Sequence, residues 1–407
     1  MSQSRRPLRF DCSEKQPAMA ELEVRNLPRR DLIILPLISV LTIALILAGT
    51  EFIAQLVWVD GRHDSCLDPT VMHYKANCYS RTKVFEGPWV ENRYNECGYH
   101  SKEPCGPKPA GTIRVAVLGT SYAEGYSVPY EETYLTFASE ELGRACHRPV
   151  EFQNLAVTAI FFRETAKRMD EALALKPDFV LLVVIPHDLF IDGSRGNAPN
   201  AKQAGPPLRA ELQHFESANL WFSIKQRLLN TTNSTRTFMV ARHFLYRDPQ
   251  TYSQAVLREG DVSDYLRTPL SPKWEERLRM ADKQIGKMAE KAHEAGVPLL
   301  LMLGLDRAEV ALILSQNRQA NIDVSAFNSR LAQIARNRGV LTVDALPSLS
   351  EASDPYHLFW PYDPHLTPEG QKFLGQVLRD RLLEGDVPAF ASCSPSKPMQ
   401  VASQAGR

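Results

Sequence analysis

The 407-residue chain lacks a net charge, because its 47 basic side chains are matched by 47 acidic ones. Proteins that bind nucleic acid through its phosphates usually present a basic surface. The charge balance therefore favours neither nucleic acid nor a strongly acidic molecule as a partner. We expect no nucleic-acid partner.

Charge is also missing from one long stretch near the N-terminus. Residues 32–49 (LIILPLISVLTIALILAG) contain no charged side chain, and a second apolar run, 52–59, follows Glu51. A helix that crosses a bilayer needs about 20 mostly apolar residues. A buried core helix is less favoured because globular helices are rarely apolar on every side, and the apolar part of a cleaved signal peptide is shorter, about 7–15 residues. The sequence therefore predicts an uncleaved transmembrane anchor over residues 31–58.

The charges on either side of this anchor predict its orientation. Arg25, Arg29 and Arg30 immediately precede it, whereas acidic and basic residues are mixed within 60–64. Cytoplasmic flanks of membrane helices are enriched in Lys and Arg. We therefore expect a single-pass protein of the cell (inner) membrane, with a cytoplasmic tail, residues 1–30, and with the remainder on the periplasmic side.

A C-x-x-C pair, a common spacing of zinc-binding cysteines, is absent from the chain. Four of its seven cysteines lie instead in a loop-like stretch rich in Asn, Tyr, Gly and Pro: Cys66, Cys78, Cys97 and Cys105. In an oxidising compartment such cysteines form disulfides that stabilise a segment with little core of its own. We expect the first to pair with the second and the third with the fourth, and a zinc site is the less favoured alternative.

Strand and helix patterns alternate through most of the remaining chain. A connector that carries the four cysteines, 60–111, ends in a Pro-rich linker and is followed by a domain, 112–386, and a C-terminal tail, 387–407. The predicted strands are 113–118, 150–155, 179–185, 297–303 and 340–343. The predicted helices are 131–144, 161–175, 274–295, 324–338 and 367–383. Such β-α-β alternation, with strands that are continuously apolar, predicts a parallel, doubly wound α/β sheet.

A long aromatic segment, 190–272, interrupts this alternation. It is too long for a simple connection between a strand and a helix and too aromatic for pure disorder. We interpret it either as an insertion that covers the site and shapes the substrate cleft or as a peripheral helical decoration.

Two motifs at opposite ends of the domain carry reactive side chains. Ser121 follows the first strand in Gly119-Thr120-Ser121, and Asp363 and His365 directly precede the last helix. A serine hydroxyl is a weak nucleophile that needs an adjacent base, and that base needs a group that fixes its tautomer. Because Asp363 and His365 are two residues apart in an extended segment, they point the same way. The sequence therefore predicts a catalytic triad of Ser121, His365 and Asp363.

Missing residues exclude other functions of the serine loop. It lacks the second glycine of the dinucleotide-binding G-x-G-x-x-G and the lysine of a phosphate-binding P-loop, and Ala123 stands where the G-x-S-x-G elbow needs glycine. A second acid–base pair, Asp354 and His357, also precedes the last helix and remains an alternative. We prefer Asp363 and His365 because that helix follows them directly.

On these motifs, the chain from about 113 to 385 resembles the SGNH (GDSL-type) hydrolase superfamily. Its Gly119-Thr120-Ser121 is similar to the family's Gly-Asp-Ser block, and Asp363 and His365, followed by a helix with Gly370, are similar to the family's last block. The resemblance implies a three-layer, flavodoxin-like parallel sheet and ester chemistry through an acyl-enzyme. It implies no cofactor and no metal.

The resemblance also implies an oxyanion hole made by Ser121, Ala159 and His187. Ala159 stands where the family has a glycine whose N–H binds the oxyanion, and an alanine keeps that N–H. His187, after the third strand, stands where the family has an asparagine that donates from its side chain. An imidazole N–H can donate as well, but losing one such donor typically costs about 10²–10³ in rate.

The anchor and the resemblance together predict a membrane-anchored serine esterase. Its expected substrates are ester groups, O-acetyl above all, on an envelope or exported polysaccharide or on a small molecule. Two alternatives stay open. One is an O-acyltransferase that uses the same acyl-enzyme, and the other is a non-catalytic polysaccharide-binding or assembly protein on the same fold, which the departure at His187 supports.

Overall fold

The computed structural model describes residues 30–58, 64–83, 86–190, 235–315 and 319–393. Most of the expected cytoplasmic tail, residues 191–234 of the expected insertion, and residues 394–407 lie outside these ranges, so what the sequence predicts for them stays a prediction.

The N-terminal apolar run forms one helix, α1, which spans Asp31–Val57 and is 27 residues long. At about 1.5 Å per residue it is longer than the roughly 30 Å core of a bilayer. Its most apolar 18-residue window has no buried residue, which disagrees with a helix inside a soluble core. The predicted N-terminal helix is therefore present, and it is long and apolar enough to cross a membrane.

Five parallel strands form the central sheet: β5 (Ile113–Leu118), β6 (Val150–Asn154), β7 (Phe179–Val184), β8 (Leu299–Leu303) and β9 (Leu341–Asp344). Their spatial order is β6-β5-β7-β8-β9. Counted from β5, this is the flavodoxin-like order 2-1-3-4-5, and the strand order reverses between β5 and β7. The predicted α/β fold is confirmed, and the carboxyl ends of β5 and β7 form the switch point at which sheets of this type usually bind ligands.

Helices cover both faces of this sheet, because its strands are apolar on both sides. Val115 and Val117 of β5 pack into one hydrophobic cluster, whereas Ala116 and Leu118 pack into the other. The helices that follow α1 in the described residues are α2 (Ser121–Glu124), α3 (Tyr134–Cys146), α4 (Phe162–Lys167), α5 (Met169–Ala174), α6 (Pro186–Phe190), α7 (Arg236–Leu245), α8 (Pro249–Val256), α9 (Pro272–Glu294), α10 (Arg307–Leu314), α11 (Ala326–Asn337) and α12 (Pro368–Leu383). Helices α3 and α12 pack against the first cluster, and α4, α5, α9 and α11 pack against the second.

The structure differs from the prediction over residues 161–175, where one helix was expected and two short helices, α4 and α5, are present. They are separated by Arg168, whose ψ of 1° is not that of a regular helix. The guanidinium of Arg168 donates to the Leu155 carbonyl at the end of β6 and to the Glu171 carboxylate. Helix α4 therefore ends at Lys167, the residue before Arg168.

Two small hairpins give the connector its structure. In the first, β1 (Leu67–Asp68) pairs with β2 (His73–Tyr74), and in the second, β3 (Tyr79–Lys83) pairs with β4 (Trp89–Arg93). The two predicted disulfides, Cys66–Cys78 and Cys97–Cys105, are both present. The zinc alternative therefore does not apply to these cysteines.

A third disulfide, which the sequence did not predict, joins Cys146 at the end of α3 to Cys393. The chain after α12 was expected to be a tail, but Val387 and Phe390 are buried in the first hydrophobic cluster. Residues 387–393 thus pack against the domain rather than extending from it.

Candidate active site

Ser121 lies at the carboxyl end of β5, in a turn that requires a glycine at position 119. A β-carbon on Gly119 would overlap the β-carbon of Ala123 and lie 3.0 Å from the Val183 carbonyl oxygen. Thr120 is extended, and α2 begins at Ser121 itself. The sharp change from strand to helix therefore places the serine at the edge where the strand order reverses.

The structure brings Ser121 together with His365 and Asp363. The distance from His365 Nε2 to Ser121 Oγ is 2.9 Å, and the distance from His365 Nδ1 to Asp363 Oδ1 is 2.5 Å. Asp363 Oδ1 also accepts the backbone N–H of His365 at 3.0 Å. Ser121 and His365 are 244 residues apart in the sequence. With Asp363 they form a continuous series of hydrogen bonds, from nucleophile to base to acid, which nucleophilic catalysis by a serine requires.

The pKa values of the acid and the base are displaced in opposite directions. Burial alone would raise the pKa of Asp363, but the charge and hydrogen bonds of His365 hold it below its ordinary value. Burial alone would lower the pKa of His365, but the Asp363 carboxylate raises it above its ordinary value. The contact therefore keeps Asp363 ionised and makes His365 a stronger base.

Two backbone N–H groups are expected in the oxyanion hole, those of Ser121 and Ala159. In the described part of the chain, neither the Ser121 N–H nor the Ala159 N–H donates to a protein acceptor. Ala159 has φ of +61°, the left-handed region that glycine prefers. The expectation that Ala159 stands at a glycine position thus fits its backbone geometry.

His187, the third expected oxyanion donor, lies three residues after the end of β7, in the short helix α6. Although His187 is an exposed residue, desolvation by the neighbouring protein, followed by the charge of His365, lowers the pKa of its ring to about 4. The ring is therefore neutral near pH 7 and keeps one N–H with which to donate.

Thr120 and Asp188 join the serine loop to the His187 loop. Thr120 Oγ1 donates to Asp188 Oδ1 at 2.5 Å, and Asp188 Oδ2 accepts the Ile185 N–H at 2.9 Å. Burial raises the pKa of Asp188 to about 6, although the Thr120 hydroxyl opposes this rise. Thr120 therefore supplies a donor to a buried carboxyl group.

Glu124, at the end of α2, ties the serine helix to the loop that carries Ala159. Its buried carboxylate accepts the Thr158 hydroxyl at 2.7 Å and the Tyr74 hydroxyl at 2.8 Å, and Tyr94 donates at 3.2 Å. Burial raises the pKa of Glu124 to about 7 in spite of these hydroxyl donors. Its hydrogen bonds to Tyr74, Tyr94 and Thr158 thus connect α2, the connector and the loop that precedes Ala159.

Glu86, a residue of the connector, contacts the loop that carries Asp363 and His365. Its Oε1 accepts the N–H groups of Tyr362 at 2.7 Å and of Asp363 at 2.8 Å. Glu86 carries no signal in the sequence, because it lies between two hairpin strands in no recognisable motif.

The alternative pair of Asp354 and His357 is not brought to Ser121. The two side chains bond to each other at 2.6 Å and are largely exposed, by 57% and 83% respectively. His365 occupies the position beside the serine hydroxyl instead.

Comparisons with known proteins find similarity to solved structures. No family model matches the sequence, and no curated protein matches it. Similar solved structures include a lipase/acylhydrolase from Enterococcus faecalis, with 10% sequence identity, a TM-score of 0.33 and coverage of 66% of this chain and 95% of that one. Esterase EstA from Pseudoalteromonas sp. has 11% identity, a TM-score of 0.36 and coverage of 67% and 97%. A member of the lipolytic protein G-D-S-L family from Veillonella parvula has 10% identity, a TM-score of 0.35 and coverage of 66% and 97%. At such identities and scores, the likeness establishes neither the fold nor the activity of this chain.

Proposed function

We propose that the protein is a serine-dependent hydrolase of carboxylic esters. The observation that carries the proposal is the hydrogen-bonded series from Ser121 through His365 to Asp363 at the switch point of the sheet. Structural ion pairs rarely place a serine hydroxyl against the free nitrogen of an aspartate-bound histidine, whereas acyl transfer through a serine needs that arrangement.

The residues support a two-step reaction. His365 Nε2 takes the proton of Ser121 as Oγ bonds to the carbonyl carbon of the ester, and Asp363 stabilises the imidazolium that forms. The carbonyl oxygen becomes an oxyanion, which accepts from the N–H groups of Ser121 and Ala159 and from the His187 ring. The bond to the alcohol oxygen then breaks, and that oxygen leaves with the proton from His365.

The acyl group is then on Ser121 and must be released. A water molecule gives a proton to His365 as its oxygen bonds to the acyl carbon, and the bond to Ser121 Oγ breaks. Ser121 regains the proton, and the carboxylic acid departs. If a sugar hydroxyl replaces the water, the same steps transfer the acyl group to the sugar, and the enzyme is then an O-acyltransferase.

We further propose that the enzyme is anchored in the cell (inner) membrane and acts on O-acetyl esters of an envelope or exported polysaccharide on the periplasmic side. The support is α1, with its exposed apolar surface, together with the arginines that precede it and the disulfides that follow it. These features support a location, and the ester chemistry supports the type of bond.

Hydrolysis by the full chain in detergent tests the proposal. We expect the wild type to release p-nitrophenol from p-nitrophenyl acetate and to be labelled at Ser121 by a fluorophosphonate. Ser121→Ala should lose both reactions. A mutant that hydrolyses the ester as fast as the wild type would disprove the assignment of the nucleophile.

A matched control uses the exposed histidine. His357→Ala removes the imidazole of the alternative pair and should leave the rate unchanged, because its side chain does not contact Ser121. Loss of activity in this variant, with normal activity in His365→Ala, would show that His357 is the base instead of His365. A wild type that binds polysaccharide but resists the fluorophosphonate would favour the non-catalytic alternative. Faster consumption of an acyl donor in the presence of a sugar alcohol would favour the transferase.

A further inference from the structure

One carboxylate of the connector, that of Glu86, contacts the loop that carries Asp363 and His365. The Glu86 side chain is 1% exposed, and its Oε1 accepts two consecutive backbone N–H groups, those of Tyr362 and Asp363. Hydrogen bonds from N–H groups to an ionised carboxylate are stronger than those to neutral acceptors. Glu86 therefore fixes the backbone of the residue whose side chain holds His365.

The second oxygen of Glu86 has a different partner. His243 of α7 lies with its Nδ1 2.6 Å from Glu86 Oε2. Burial raises the pKa of Glu86, whereas the bonds to His243 and to the two N–H groups oppose this rise. One side chain thus joins three segments that are far apart in sequence: the connector, the described end of the aromatic insertion and the loop of Asp363.

The hydrogen bonds within the loop of Asp363 and His365 explain how the contact with Glu86 can affect the position of the His365 ring. Both backbone and imidazole N–H groups of His365 bond to the same oxygen, Asp363 Oδ1. A shift of the Asp363 backbone therefore moves the imidazole with it and lengthens the 2.9 Å contact with Ser121. On the other side of the loop, Trp360 N–H donates to the His365 carbonyl at 3.1 Å, and Arg307 donates to the Pro361 carbonyl. These two contacts do not reach the N–H of Asp363.

We propose that Glu86 is a positioning residue for the reaction, which holds the backbone of Asp363 so that His365 meets Ser121. The inference rests on the proposed function for its effect on rate, but the contact it describes does not depend on turnover. Glu86 does not touch the reacting atoms, and its effect passes through Asp363.

Three variants of the full chain in detergent test this role. Glu86→Ala removes both acceptors, and a displacement of about 1 Å in the catalytic groups is expected to lower kcat for p-nitrophenyl acetate about 10²-fold, with little change in KM. Glu86→Gln keeps an oxygen for the two N–H groups and an amide that can donate to His243, so its kcat should stay within about tenfold of the wild type. Glu96→Ala is the matched control, because Glu96 also accepts a backbone N–H in the connector, from Cys105 at 2.8 Å, and should leave kcat unchanged.

A second measurement reports directly on the hydrogen bond between His365 and Asp363. The low-field proton NMR signal of His365 Nδ1–H, assigned by its loss in His365→Gln, reports the bond to Asp363. We expect this signal to shift or disappear in Glu86→Ala and to persist in Glu86→Gln and Glu96→Ala. Thermal unfolding followed by circular dichroism checks that each variant is folded, and Glu86→Asp, with a shorter side chain, replaces Glu86→Ala if that variant does not fold.

The outcomes separate this inference from the proposed function. A normal kcat and an unchanged Nδ1–H signal in Glu86→Ala would overturn the role of Glu86, and so would equal losses in Glu86→Ala and Glu86→Gln. If the wild type reacts with neither ester nor fluorophosphonate, the proposed function fails, while the Nδ1–H signal still decides whether Glu86 positions the loop.

Discussion

At the scale of single residues, the pKa of His365 sets the pH range in which the triad can work. Burial would lower this pKa, but Asp363 raises it above the ordinary value of 6.5, and the carboxyl groups of Glu124 and Asp188 add to the rise. The ring must be neutral to accept the proton of Ser121. We therefore expect kcat/KM for p-nitrophenyl acetate to fall as the pH drops through a midpoint above 6.5 and to level off at higher pH.

The Asp363→Asn variant checks the cause of this midpoint. It removes the charge that raises the pKa of His365 and leaves the ring buried, so the midpoint should move to lower pH. Because the asparagine no longer fixes the tautomer, the rate should also fall by about 10⁴. The rate of fluorophosphonate labelling, followed from about pH 5 to about pH 9, measures both effects. A wild-type midpoint below the ordinary value of 6.5, or an unshifted midpoint in the variant, would contradict the assignment of His365 as the base.

Single residues also show what motifs could and could not predict. Ser121, Asp363 and His365 could be predicted because each stands in a short motif at the end of a predicted element. Thr120 could not be explained from the sequence, because its partner, Asp188, lies 68 residues away. Glu86 could not be found at all, since it bonds to backbone groups 276 and 277 residues later, and backbone donors leave no side-chain pattern.

At the scale of elements, α10 contains a buried acid, Glu309. Neither carboxyl oxygen of Glu309 has a hydrogen-bond partner among the described residues. Burial raises the pKa of Glu309 well above its ordinary value, and the charges of Asp306 and Asp344 add to this rise. The unfolded chain ionises at a lower pH than the folded one, so the stability that depends on this group is complete at acid pH and is lost as the pH rises.

We therefore expect Glu309→Gln to raise the free energy of unfolding at neutral pH by about 1–3 kcal/mol, because the amide cannot ionise. The gain should shrink as the pH falls toward the ordinary pKa of glutamate, where the wild type is neutral as well. Urea unfolding at several pH values measures it. Asp306→Ala provides the opposite control, because it removes the carboxyl group that caps α10 and accepts from Tyr265, so it should destabilise the protein. A Glu309→Gln protein that is less stable than the wild type at every pH would contradict the argument.

The elements that could be predicted are those whose pattern follows from their own burial. Strands β5 and β7 are buried on both faces, and a continuous apolar run predicts such strands. Helix α10 was missed because it is short and buried through most of its length, which leaves no one-sided apolar stripe. The break between α4 and α5 was missed because it depends on the contact of Arg168 with the Leu155 carbonyl.

At the scale of the whole molecule, three disulfides connect the parts of the chain that follow α1. Two of them close short loops of the connector, and the third joins Cys146 to Cys393 across 247 residues. Six cysteines allow 15 pairings, so spacing alone predicted only the local bonds. The long-range bond depends on the fold, which brings the end of α3 to the buried segment that contains Phe390.

These disulfides make the proposed topology testable, because they form in an oxidising compartment and not in the cytosol. If residues after α1 lie on the periplasmic side, all six of their cysteines pair, and Cys12, on the cytoplasmic side, is the one free thiol of the seven cysteines. We expect full-length protein, denatured directly from membranes without reductant, to take up one maleimide by mass spectrometry. The same protein reduced first should take up seven, and Cys12→Ser without reductant should take up none. Uptake of seven without reductant would place the domain in a reducing compartment, and the orientation inferred from the arginines before α1 would then be wrong.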